Sequence, residues 1–316
     1  MLRKICFIAA LTVLSLSALA RGATLRLAGE PVELTSGETY FMQPLWSPQG
    51  GRLAMAGENY QGLWTMWIDG GEPQQVSDAL GAGFLPAWSP DGDRIACRVS
   101  QMENKRKLST IAVYDVEKNT ATELTEYVKE VGLPRWIESG SSLFYLQDGR
   151  PQTVLAPGTA KGEPAGADVI VTVQNDAIAV QRPPWDQPEI LKPVENRILW
   201  AELSPDGSRI AFEVIGAELY VVGLDGADLV DLGRGERPRW SPDSRWITYM
   251  ITEDDGYRML SADIYAIGRD GGGKTAVTQS EDRLEMNPHW SPDGSTIACD
   301  TRGEGIIVLI PVEIAE

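Results

Sequence analysis

Short runs in which apolar and polar residues alternate recur along the chain, as in Leu63-Trp64-Thr65-Met66-Trp67-Ile68 and Asp263-Ile264-Tyr265-Ala266-Ile267. A period of two sets every second side chain on the same face of a β-strand. The runs stop at turn residues, Asp69-Gly70-Gly71 in the first case and Asp270-Gly271-Gly272 in the second. The pattern predicts many short antiparallel strands joined by tight turns.

One combination repeats: an aromatic residue, Ser-Pro-Asp-Gly, two further residues, then Ile-Ala. It reads Trp88-Ser89-Pro90-Asp91-Gly92 before Ile95-Ala96, and Trp290-Ser291-Pro292-Asp293-Gly294 before Ile297-Ala298. Variants begin at Trp46, Leu203 and Trp240, and a decayed copy runs Trp136-Ile137-Glu138-Ser139-Gly140. Pro fixes φ, Asp bonds its own backbone and Gly accepts φ > 0, so the motif is a turn between an inner strand ending in the aromatic and a second strand carrying Ile-Ala. The alternating run supplies a third strand, and Thr122-Glu123-Leu124-Thr125 or Ala276-Val277-Thr278 a fourth.

The repeat positions 46, 88, 136, 203, 240 and 290, Trp in all but Leu203, span 244 residues in five intervals, a mean of about 49. Repeats of this length mean solenoids or propellers. The last copy ends after its third strand, whereas Pro31-Val32-Glu33-Leu34-Thr35 has an outer-strand pattern ahead of the first copy. The sequence therefore predicts an all-β, six-bladed β-propeller of four-stranded antiparallel blades, with the segment at 31–35 completing the last blade and removing an exposed edge. The interval of 67 residues between 136 and 203 is long for one blade. One blade with an insertion between Gly149 and Gly166 accounts for it, and seven blades is the alternative.

Residues 1–20 read as a secretory signal peptide: Arg3 and Lys4, an apolar run from Ile5 to Leu19, and the small residues Ala18 and Ala20. The expected mature chain, 21–316, is then one propeller domain with repeats over about 40–313, periplasmic or extracellular, with no stable membrane insertion after cleavage. The formal charge of −17 becomes −19 once the two basic residues of 1–20 are removed, which is the wrong sign for a nucleic-acid partner. Cys97 and Cys299 occupy the same slot of the second and last copies, too far apart around a ring to pair.

The unit Pro288-His289-Trp290-Ser291-Pro292-Asp293-Gly294 resembles the WD-like propeller repeat of the TolB family. The resemblance covers residues 31–313. It implies a non-catalytic periplasmic binding module of the Tol–Pal envelope system, contacting a lipoprotein, with an envelope or secreted protein or peptide as partner, no cofactor and a monomeric state. Only about ten residues separate the expected cleavage site from the closing strand, so the α/β domain that precedes the propeller in TolB is not expected.

Two surfaces are candidates for binding. Just before the repeat aromatic stand Arg135, Glu202, Arg239 and His289, and three before it stand Arg237 and Asn287, polar residues that an inner strand would bring to the channel mouth. On the face carrying the blade connectors, Lys105, Arg106 and Lys107 and the run Asp254, Asp255 and Tyr257 would sit on loops. Trp185, among three prolines, is a further exposed candidate. The repeat aspartates are explained as turn residues, and no catalytic or metal-ligating set is expected. His289 is the only histidine. The alternatives are a metal-assisted carbohydrate lyase or hydrolase, of which oligogalacturonate lyases on similar propellers use several histidines around a metal, and a propeller that binds a small ligand or glycan.

Overall fold

The computed structural model describes residues 24–159 and 168–315; the expected signal peptide lies outside the described residues. The chain is an all-β propeller of antiparallel sheets. The first blade holds strands Phe41–Trp46, Arg52–Gly57, Gln61–Trp67 and Gln74–Leu80, and the second Ala87–Trp88, Arg94–Glu103, Arg106–Asp115 and Thr120–Glu123. A third sheet holds Arg135–Ile137, Ser142–Gln147 and Arg150–Leu155, and a fourth Ile170–Gln174, Ala177–Gln181 and Glu189–Leu191. The fifth has Ile198–Leu203, Arg209–Val214, Glu218–Gly223 and Val230–Arg234, and the sixth Glu236–Trp240, Trp246–Asp254, Met259–Gly268 and Thr275–Ala276.

The last blade holds Glu285–Trp290, Thr296–Thr301 and Ile307–Ala315, and the chain's start completes it. Val32 and Glu33 pair with Leu309 and Val308, as the outer-strand pattern predicts. A further strand, Thr24–Leu27, pairs with the extension Val312–Ala315. Leu34 and Thr35 continue the closure: Leu34 donates its N–H to the Ile307 carbonyl, and the Thr35 hydroxyl accepts the Ile307 N–H at 2.9 Å.

The first two blades are joined into one eight-stranded sheet by the pairing of Leu80 with Ser100. The long interval between Trp136 and Leu203 holds the third and fourth sheets, each three-stranded among the described residues. Buried apolar clusters lie between neighbouring groups of strands, and one of them, with Trp46, Leu53, Ala298 and Ile307, joins the last blade to the first. The fourth sheet also runs differently. The Glu138 N–H donates to Asp168 at 2.7 Å, which sets the start of Ile170–Gln174 beside a repeat turn. Arg197 pairs with Asp176 at 2.7 Å, which sets its end beside the start of the fifth sheet. This strand therefore descends where the other inner strands ascend, and corresponds to the second strand of a blade. Among the described residues the sheet shows no first strand and no turn of the kind that the repeat encodes.

The repeat turns are closed as their chemistry predicts. The Ser204 hydroxyl donates to Asp206 at 2.7 Å and accepts the Arg209 N–H at 3.0 Å, while Asp206 accepts the Ser208 N–H at 2.9 Å. The hydroxyl of Ser204 and the Ser208 backbone hold the Asp206 carboxyl down to about 2 against the effect of burial. The repeat tryptophans join blades. Trp88 donates Nε1–H to the Leu45 carbonyl, Trp136 to Ala87, Trp240 to Glu202, and Trp46 to His289 across the ring closure, at 2.8–3.2 Å. Cys97 and Cys299 are buried free thiols, in the slot assigned from sequence.

Candidate functional site

The inner strands surround a cavity of about 290 Å³ whose wall includes Gln43, Arg135, Val171, Glu202, Arg237 and Asn287. Two rings of positions build it. The residue three before the repeat aromatic is Gln43, Leu85, Trp200, Arg237 or Asn287 in blades one, two, five, six and seven. Gln43, Leu85, Arg237 and Asn287 hold the left-handed conformation, with φ between 50° and 56°. β-Bulges at Met42/Leu45, Glu236/Arg239 and Met286/His289 accompany three of them. A bulge re-aims a side chain, and non-glycine residues held at positive φ need support from their surroundings.

Buried carboxylates on the preceding blade give that support. Asp300 accepts the Gln43 N–H at 3.0 Å and the Asn287 amide at 2.8 Å, and Glu213 accepts the Arg237 N–H at 2.9 Å. Glu213 and Asp300 occupy the same slot, three residues after the apolar Ile of the second strand. Burial raises the Asp300 carboxyl to about 7, although the bonds from Asn287 and Gln43 oppose the rise, and burial raises Glu213 too.

The charge of the wall is unbalanced. Arg135, Arg237 and Arg239 face it with one carboxylate, Glu202, which pairs with Arg239 at 3.2 Å across neighbouring blades. Arg237 and Arg239 lie over the Trp200 ring, their Cζ atoms 5.3 and 4.9 Å from its centroid. Among the described residues Arg135 donates only to the Pro134 carbonyl, at 3.3 Å. Burial, and then repulsion from Arg239, pull its pKa below the ordinary arginine value, with Glu202 opposing. Among the described residues neither Arg135 nor Arg237 has an ion-pair partner.

Five of the six channel-mouth residues named from sequence, Arg135, Glu202, Arg237, Arg239 and Asn287, line this one cavity. His289 does not. Its Nδ1 lies 3.1 Å from the Trp290 carbonyl, and its own carbonyl accepts Trp46 Nε1–H. Burial first, and Arg239 second, drive its pKa down to about 3, so the ring is neutral near pH 7 and serves the blade seam.

The loop-face residues are not brought together. Lys105, Arg106 and Lys107 cap a long hairpin of the second blade, and Asp254, Asp255 and Tyr257 one of the sixth, on well-separated parts of the ring. Asp254 accepts the Gly256 N–H, and Asp255 those of Tyr257 and Arg258, so the acidic run closes its own turn. Among the described residues no three His, Cys, Asp or Glu side chains are grouped to hold a metal. Trp185 is half-buried against Phe144, with centroids 5.4 Å apart, rather than standing free. Trp200 and Gln43 were not singled out from sequence, although they occupy the same offset from the repeat as Arg237 and Asn287.

No family model matches the chain, and no curated protein matches it by sequence. Solved structures do. A candidate TolB from Agrobacterium tumefaciens is 19% identical with a TM-score of 0.51, over 93% of this chain and 98% of that one. An oligogalacturonate lyase in complex with manganese is 11% identical with a TM-score of 0.54, over 91% and 94%. At these identities the likeness is one of fold.

Proposed function

We propose that this chain is an exported propeller that binds a carboxylate-bearing segment of an envelope or secreted protein at its channel mouth. The observation that carries the reading is the pair of arginines, Arg135 and Arg237, facing a common cavity with no counter-ion of their own. A buried guanidinium without a counter-ion is costly, and an incoming carboxylate relieves that cost through charge-assisted, bidentate hydrogen bonds. The left-handed bulges hold such a wall in place before a ligand arrives, which reduces the ordering that binding would otherwise require. The likeness to a TolB structure agrees with a binding module. The lyase in complex with manganese is an equal neighbour in fold; among the described residues no three His, Cys, Asp or Glu side chains are grouped, and the one histidine is turned into a blade seam, which favours the binding reading.

Calorimetric titration with a hexaglutamate and a hexalysine peptide tests the reading. Hexaglutamate should bind and hexalysine should not, and Arg135→Ala or Arg237→Ala should each weaken binding by about tenfold or more. Equal binding of the two peptides, or unchanged affinity in both variants, would refute it. Export is tested by mass spectrometry of the periplasmic fraction, where the chain should begin after residue 20.

A further inference from the structure

A second cavity of about 470 Å³ opens beside the first and shares Leu85, Arg135, Val171, Trp200, Ala201 and Arg237 with it. Its remaining wall is mostly apolar, with Phe84, Leu133, Phe144, Leu146, Val173 and Leu199. Its place follows from the topology. Neither the third nor the fourth sheet has a fourth strand of the usual kind among the described residues, and the fourth has no first strand. Among the described residues the apolar cluster between these two sheets is small, with Ile137, Phe144 and Ile170 buried in it. The chamber occupies this thinly packed interface, on the side where the second-strand residues Phe144 and Leu146 face Val171 and Val173.

The charged groups that face the chamber are Arg135, Arg237 and Glu213. Glu213 is already engaged by the Arg237 N–H, and burial disfavours its ionised form. The two unpaired guanidiniums therefore stand at the junction of a polar channel and an apolar room. Resting on the carboxylate-binding reading above, we propose that the site recognises the C-terminus of a peptide whose last residue is large and apolar. The terminal carboxylate meets Arg135 and Arg237, and the last side chain enters the chamber between the third and fourth sheets. A C-terminal residue carries its carboxylate and its side chain on one carbon, so it can present both to adjoining cavities. An internal Asp or Glu brings no apolar group to the same point.

The test uses the full mature chain and three probes: acetyl-Gly-Gly-Gly-Phe as free acid, the same peptide as C-terminal amide, and acetyl-Gly-Gly-Gly-Gly as free acid. Burial of the phenyl group predicts about 10- to 100-fold tighter binding of the Phe acid than of the Gly acid. The amide should bind at least tenfold more weakly than the Phe acid. Val173→Trp, which narrows the chamber, should abolish the preference for Phe over Gly, with circular dichroism showing that the variant is folded. Should the two acids bind alike, both better than the amide, the chamber proposal is overturned and the carboxylate reading stands. If the Phe amide matches the Phe acid, or if no probe binds, both are overturned. A Val173→Trp variant that keeps its preference for Phe overturns the placement of the side chain.

Discussion

His289 and Asp300 sit on paired strands of the last blade, and their buried side chains act on stability in opposite directions as pH changes. Burial lowers His289 from 6.5 to about 3, with Arg239 adding to the effect. Protonation therefore favours the unfolded chain, so this contribution is complete above pH 6.5 and is lost as pH falls toward 3. Burial raises Asp300 from 3.8 to about 7. Ionisation favours the unfolded chain, so that contribution is complete below pH 3.8 and is lost as pH rises through 7. At about 1.4 kcal/mol per pH unit, each group is worth about 4–5 kcal/mol over its full range, and between pH 4 and 6.5 the two slopes oppose each other. Asp300→Asn removes one slope and keeps an oxygen that can accept both the Gln43 N–H and the Asn287 amide. Urea unfolding at pH 4.5, 5.5 and 6.5, followed by tryptophan fluorescence, measures the result. Relative to the native chain, Asp300→Asn should gain about 3 kcal/mol of stability between pH 4.5 and 6.5, and His289→Gln should lose a similar amount. A difference between Asp300→Asn and the native chain that stays constant with pH would refute the reasoning for Asp300.

Three further outcomes follow from the blade architecture. Trp136→Phe removes the 2.8 Å bond from Nε1 to the Ala87 carbonyl and should destabilise by about 1 kcal/mol, read as a lower urea midpoint with an unchanged m-value. Ser204→Ala should cost about 1–2 kcal/mol and move the Asp206 carboxyl upward from about 2, which an NMR titration follows; an unmoved Asp206 would exclude the Ser204 hydroxyl as its main stabiliser. A methyl group at Gly235 would meet the Tyr249 ring and the Leu219 side chain, so Gly235→Ala should lower stability by about 2–3 kcal/mol in thermal or urea unfolding.

The repeat made most of the fold legible, because Trp, Ser, Pro, Asp and Gly each perform a local task that the structure repeats: blade joint, staple, fixed φ, backbone acceptor and positive φ. The closing strand was legible because its alternation stood out of place, ahead of the first repeat. The fourth sheet was not, because the signature belongs to the turn between first and second strands and this sheet shows no such turn among the described residues. Arg135, Glu202, Arg239 and Asn287 could be placed at the channel by counting from the repeat aromatic. The same count put His289 there, but burial and its contact with the Trp290 carbonyl turn it into the seam. Trp200 and Gln43 were hidden by chemical type: one is aromatic and the other uncharged, although both stand at the same offset from the repeat as Arg237 and Asn287. The side chamber lies between two sheets that are three-stranded among the described residues, and the packing between sheets leaves no periodic trace in sequence.

The central claim is that the channel carries unpaired positive charge on a chain whose formal charge is −17. Anomalous diffraction from crystals soaked in sodium bromide tests it most directly. The account predicts bromide in the channel, against Arg135 and Arg237, and its disappearance in crystals of the Arg135→Ala, Arg237→Ala double variant. Bromide found only beside surface lysines and arginines, with the channel peak absent in the native chain, would contradict it.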